Sequence, residues 1–212
     1  MELFYHPLSR NCQTVLIALY EKQARFMPRI VAIEDPNIRR QFIKQHPSGR
    51  LPLLRTDRGD FLPEPNIIIE YLDHQYPSGT QLIPKEFTQA LQVRLLERQI
   101  DIDLNNKLFL LEQKQLSLDT LPLILQGLKN EIQTTLAHLN HRLHGRHWLC
   151  GDHFTLADCA LIPCLMAAKN QFKLYLYYDL DKYLHLAETR GAWIQVQEEI
   201  ELTSRLTACP IP

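Results

Sequence analysis

The sequence predicts an α/β segment with the order βαβαββα, followed by a second part that is helical throughout. Three observations carry this. Before residue 78, short β-like runs alternate with helical ones. Beyond Pro84, apolar residues recur at helical spacing only, near 86–116, 122–144, 155–170 and 189–203. Between the two, Tyr76-Pro77-Ser78-Gly79 and Pro84 punctuate the chain. The expected domains are 1–77 and 86–212, with 78–85 as the link.

The first element is Glu2-Leu3-Phe4-Tyr5, a short strand candidate. Residues 11–22, NCQTVLIALYEK, place Val15, Leu16, Leu19 and Tyr20 on one helical stripe, and 28–33, PRIVAI, is β-like again. A charged helix is expected over 35–45, ending where His46-Pro47-Ser48-Gly49 breaks the chain. The runs 51–56 and Phe61-Leu62 flank the turn Asp57-Arg58-Gly59-Asp60, which makes them a hairpin. From Asn66 onward Ile67, Ile68, Tyr71 and Leu72 form an apolar stripe, with Glu70, Asp73 and His74 opposite. The chain has no internal repeat or low-complexity tract.

The 212 residues are enough for a real core, in one large domain or two modest ones, without metal or disulfide staples. Twenty-three basic and 24 acidic residues leave a formal charge of −1, so no broad field draws the protein to nucleic acid or an anionic membrane. No apolar stretch approaches the roughly 18 residues that span a bilayer. The start MELFYHPLS lacks a basic-then-apolar leader pattern. A cytosolic protein is expected, with no membrane and no direct nucleic-acid partner. Cys12, Cys150, Cys159, Cys164 and Cys209 are odd in number and scattered without CxxC spacing, which predicts reduced thiols and no metal site.

Three stretches carry possible chemistry. In HPLSRNC, 6–12, the loop between the first strand and first helix faces the positive end of that helix, where a thiolate would be stabilised. Ser9 could cap the helix or donate to a bound thiolate, and Cys12 could pack inward or be a thiolate itself. In HPSGRLPLL, Arg50 could bind a carboxylate or stand in solvent, and base rates alone leave the Leu51-Pro52 bond trans. In DHFTLADCALIP, Thr155 and Asp158 form an aspartate version of a capping box, a structural feature.

Taken in order, YHPLSRNC, EDPNIRRQFIKQHPSGRLPLL, EPNIIIEYLDHQYP and GDHFTLADCALIP resemble the cytosolic glutathione transferase superfamily along nearly the whole chain. The resemblance implies a thioredoxin-like N-terminal domain that binds glutathione, an all-helical C-terminal domain, and a homodimer. It puts Ser9 where the family has the Ser or Cys that contacts the glutathione sulfur, and Cys12 one helical turn later. It makes Leu51-Pro52 the family's cis-proline site, with the Leu51 backbone pairing with the cysteinyl part of glutathione and Arg50 near the glycyl carboxylate. The base-rate expectation for Pro52 is thereby reversed.

The departure is at Glu64-Pro65-Asn66, where the family usually has Glu or Gln followed by Ser. That serine gives a hydroxyl and an N–H to the γ-glutamyl carboxylate at a helix N-terminus. Proline suits the first helical position but has neither donor, and charge-assisted donors are worth roughly 1.5–3 kcal/mol each. Asn66, Ile67 or a water could compensate, and Glu64 could still meet the ligand ammonium. Two functions follow from the resemblance. One is a glutathione-dependent transferase acting on a small electrophile, with Ser9 the leading catalytic residue and Cys12 the second choice. The other is a non-catalytic interaction protein, because IIIEYLDHQYP and HFTLADCALIP are also similar to the stringent starvation protein A group, bacterial proteins of this fold that associate with RNA polymerase. Tyr175, Tyr177, Tyr178 and Phe109 are candidates to line an electrophile pocket, although aromatics at such spacing are more often core.

Overall fold

The computed structural model describes residues 1–117 and 121–208; Cys209 lies outside them. The described residues form two compact units, one of Met1–Gln81 together with Gly191–Ala208, the other within Leu82–Arg190.

The first unit contains β1 (Glu2–Tyr5), α1 (Arg10–Glu21), β2 (Met27–Ile30), α2 (Pro36–Gln45), β3 (Leu53–Arg55), β4 (Phe61–Pro63) and α3 (Pro65–Gln75), in the order predicted. The strands form one sheet, β2-β1-β3-β4. Strands β1 and β2 are parallel and the other two pairs antiparallel. Strand β2 is shorter than 28–33 because Ile33 N–H turns back to Val31 O and Asp35 N–H to Ala32 O. It is an edge strand, the place where Pro28, without an N–H, interrupts no inner ladder. The β3–β4 turn closes with Thr56 N–H on Asp60 O, and Gly59 holds φ +92°, a conformation that suits glycine.

Helix α1 is the centre of this unit. Residues Cys12 to Leu19 are all buried, because α3 and a last helix, α9 (Gly191–Ala208), pack against it. In α3 the buried stripe is Ile68, Ile69 and Leu72, whereas Ile67, expected inside, is exposed. At the end of α1 the buried Lys22 ammonium meets Asp73 at 2.9 Å and Thr80 O at 3.1 Å, so its charge is paired and hydrogen-bonded. Just after α2, His46 sits among Phe4, Phe42 and Phe61, and this burial lowers its pKa from the usual histidine range.

The second unit is all-helical, as expected: α4 (Phe87–Ile100), a π-helical segment (Asp101–Asn105), α5 (Asn106–Leu116), α6 (Pro122–Leu143), α7 (Leu156–Ala168), a short 3-10 turn (Leu174–Leu176) and α8 (Tyr178–Glu188). Helix α7 is its core, with 11 of its 13 residues buried. Its predicted capping box forms. The buried Asp158 carboxylate accepts from Thr155 N–H (2.8 Å), Thr155 Oγ1 (3.0 Å), Leu149 N–H (3.0 Å) and Tyr183 Oη (3.1 Å). Burial outweighs these donors and raises its pKa to about 6.

Three differences from the sequence reading stand out. Helix α8 was not expected, although Leu180, Tyr183, Leu184 and Ala187 keep helical spacing and are its buried residues. Phe109, Tyr175 and Tyr178, read as more often core, are exposed. The last helix, α9 (Gly191–Ala208), follows the expected segment 189–203, but the helical unit ends before it at Arg190. Helix α9 packs with the sheet unit because it lies on α1 and buries Trp193, Val196 and Thr203. Among the described residues, no helix is long and apolar enough to cross a membrane. Among the described residues, Cys12, Cys150, Cys159 and Cys164 form no disulfide.

Candidate active site at one edge of the sheet

The sheet register decides which loops meet. Phe4 pairs with Leu53 and Leu53 with Pro63. The end of β1, the start of β3 and the end of β4 therefore lie side by side. The segments that continue from them are 6–9, 50–52 and Glu64-Pro65-Asn66, so the three stretches singled out in the first unit's sequence gather at one edge.

In the first of these, Ser9 occupies the N-cap of α1 with extended backbone (φ −84°, ψ 121°), yet its side chain makes no capping bond. The hydroxyl is instead a hydrogen-bond partner of the Cys12 thiol. The backbone around it is laced. Ser9 N–H donates to His6 O (3.0 Å), Gln13 N–H to Ser9 O (2.9 Å), and Leu8 N–H to His6 Nδ1 (3.3 Å). The buried Gln13 amide donates to Pro7 O at 2.7 Å. His6 and Gln13 are loop-holding residues that the sequence reading passed over; a glutamine on the buried face of an apolar helix was the available signal.

Cys12 is fully buried, with His6 N–H 3.5 Å from its sulfur. Burial pushes the thiol up to about 11 against the opposing effects of Ser9 and His6. Its burial matches the inward-packing alternative.

The Leu51-Pro52 bond is cis, as the resemblance implied and base rates did not. Arg50 lies 3.7 Å from Glu64 across two side chains that are 79% and 55% exposed, a contact too solvated to hold either group firmly.

At the start of α3, Glu64 has φ +69°, an unfavourable conformation for a residue with a side chain. It offers no side-chain cap, and Pro65 follows at the first helical position. Asn66 Oδ1 accepts from Ile67 N–H at 2.9 Å, and Ile68 N–H is taken by Glu64 O at 3.1 Å. The donors within reach of an anion here are Asn66 N–H and the Asn66 side-chain amide. Turning that side chain outward would free Ile67 N–H as a third. No group of three or more His, Cys, Asp or Glu among the described residues is arranged to hold a metal ion.

A two-domain chain with an α/β sheet unit, a helical unit and a cis-proline at the sheet edge has clear relatives. Residues 3–81 match the family model of the glutathione S-transferase N-terminal domain, and 122–188 that of the C-terminal domain. Glutathione S-transferase F7 of Arabidopsis thaliana is 30% identical over 175 residues, covering 78% of this chain and 82% of that protein. A stringent starvation protein A homolog of Coxiella burnetii is 27% identical over 165 residues, covering 78% of this chain and 74% of that protein. In structure, a Methylobacillus flagellatus glutathione S-transferase solved with glutathione bound superposes with a TM-score of 0.84 at 22% identity, covering 92% of this chain and 98% of that one. This chain belongs to the glutathione S-transferase superfamily, whose members use glutathione.

Proposed function

We propose that this protein is a glutathione-dependent transferase, cytosolic and homodimeric, that conjugates or reduces a small electrophile with the thiolate of bound glutathione. The observation that supports this most is Ser9. A serine at a helix N-cap normally spends its oxygen on the helix, and this one does not: Ser9 stands partly exposed at the start of α1, its hydroxyl turned toward the Cys12 sulfur. In the proposed reaction the Ser9 hydroxyl and the positive end of α1 stabilise the glutathione thiolate, its proton leaving to solvent. The sulfur then forms a bond to the electrophilic atom as that atom's bond to its leaving group, or the π bond it shares, breaks and the electron pair passes to the departing or neighbouring atom.

The remaining contacts follow the sheet edge. The Leu51 backbone beside cis-Pro52 pairs with the cysteinyl part, Arg50 faces the glycyl carboxylate, and Glu64 takes the ammonium of the γ-glutamyl part. Its carboxylate falls to the α3 terminus, where Asn66 replaces the donors that Pro65 lacks. Cys12 serves as a packing residue beneath the loop. Glutathione binding by calorimetry is the test. Binding in the micromolar to millimolar range, with turnover of an aromatic electrophile, is expected, and absence of binding by the folded protein at millimolar glutathione overturns the reading.

Pro65 also favours a second reading, a non-catalytic interaction protein on the same fold. Removing a hydroxyl and an N–H from an anion site is what loss of the ligand would permit. Under that reading the partner is a protein such as RNA polymerase, and the calorimetry returns no glutathione binding.

A further inference from the structure

One polar cluster of the sheet unit has no part in the contacts above. The Glu199 carboxylate on α9 accepts two tyrosine hydroxyls, Tyr5 Oη on Oε2 at 2.5 Å and Tyr20 Oη on Oε1. The Phe26 ring stands edge-on to both phenol rings, at 6.5 and 6.2 Å. Glu199 has no cationic partner among the described residues. Its charge is met by two phenol donors, the strong type of hydrogen bond in which the acceptor is ionised. Burial, and then the carboxylate, push both phenols far above the usual tyrosine range, so each remains a donor.

The places of the two tyrosines give the cluster its meaning. Tyr5 is the last residue of β1, and the next four residues are the loop that ends at Ser9. Tyr20 lies in the last turn of α1, the helix that Ser9 begins. One carboxylate thus fastens both elements that the Ser9 loop joins. A strand end and a helix tied to a common third point cannot slide past each other, and the loop between them inherits that register.

We propose that Glu199 is a positioning residue: through Tyr5 and Tyr20 it fixes strand β1 against helix α1 and so sets where the Ser9 hydroxyl stands. This rests, for its catalytic consequence, on the reading of Ser9 as the thiolate donor. An error of about 1 Å in such a placement costs up to about a hundredfold in rate.

The test uses Glu199→Leu, which removes both acceptors, and Tyr5→Phe, which keeps the ring packing and removes one donor should the first variant fold poorly. Amide hydrogen exchange of residues 6–12 in the free protein is measured beside the pH profile of glutathione turnover. Expected are faster exchange in 6–12, an upward shift of the bound-thiol pKa, and a fall in kcat with KM for glutathione little changed; Glu199→Gln, which retains one acceptor, should recover part of each. A lower melting temperature with exchange in 6–12 and the pH profile both unchanged would make Glu199 merely structural and overturn the proposal. Faster exchange in 6–12 when even the unsubstituted protein binds no glutathione supports the brace and removes only the reaction it was to serve.

Discussion

The start of α7 and the starts of α1 and α3 are built from the same backbone problem and solve it in opposite ways. At α7 the Asp158 carboxylate collects four donors in a fully buried setting. At α1 and α3 the cap residues, Ser9 and Glu64, make no side-chain cap bond at all. A terminus capped by its own side chain is committed to holding the fold, whereas Ser9 and Glu64, at one sheet edge, do not spend their side chains on capping. The comparison also separates the two termini without a side-chain cap. The one at α1 is laced by His6 and Gln13, whereas α3 begins with Pro65 and retains only what Asn66 supplies.

Four substitutions would sharpen or break this contrast. Asp158→Ala should have the largest effect, because it strands buried donors that each cost roughly 1–3 kcal/mol when unsatisfied; urea unfolding should show a loss of about 3 kcal/mol or more, and a loss below about 1 kcal/mol would deny α7 its structural role. Ser9→Ala should leave stability nearly unchanged and lower kcat by about a hundredfold, the usual consequence of losing one donor to a developing or held anion. Equal turnover by the two proteins would remove Ser9 from the chemistry. Pro65→Ser restores a hydroxyl and an N–H and should tighten glutathione by about tenfold or more, read by calorimetry. Unchanged affinity would mean that Asn66 already fills the anion site.

The smallest effect is one of pH. The folded-state pKa of Asp158, about 6, lies above its ordinary value of 3.8. Its protonated form therefore favours the folded state: this contribution is fully present below about pH 3.8 and is lost as the pH rises through about 6. Asp158→Asn should flatten that part of the stability profile, measured by denaturant midpoints across pH 4–7, and an unaltered slope would assign it to other groups.

How much of this could be read from the chain depends on the range of each interaction. Local patterns were legible: the order of strands and helices, the Thr155–Asp158 box three residues apart, and the turn at Gly59. The cis state of Pro52 was not, because nothing in Leu51-Pro52 itself departs from an ordinary X–Pro pair, and only the resemblance carried it. Helix α8 was not legible, because its apolar stripe of Leu180, Tyr183, Leu184 and Ala187 is short and runs directly on from Tyr175-Leu176-Tyr177-Tyr178, with no Gly or Pro to mark its start. The union of α9 with the sheet unit and the role of Glu199 rest on partners 179 and 194 residues away, and no spacing rule reaches so far. Ser9 was legible as a candidate, and only the geometry shows that its side chain makes no capping bond.

The corner at Glu64-Pro65 has a further consequence, one of freedom and not of donors. The proline ring fixes its own φ near about −65° and confines the residue before it to extended ψ, and Glu64 complies with ψ 129° while its φ is +69°. Adjacent torsions are thus pinned, so the entry to α3 is a stiff joint that cannot be re-aimed by the backbone. Under the proposed function, adjustment to an incoming anion would fall to the side chain of Asn66. Recognition at this terminus then becomes a matter of turning one amide within a rigid frame, with little chain entropy left to lose.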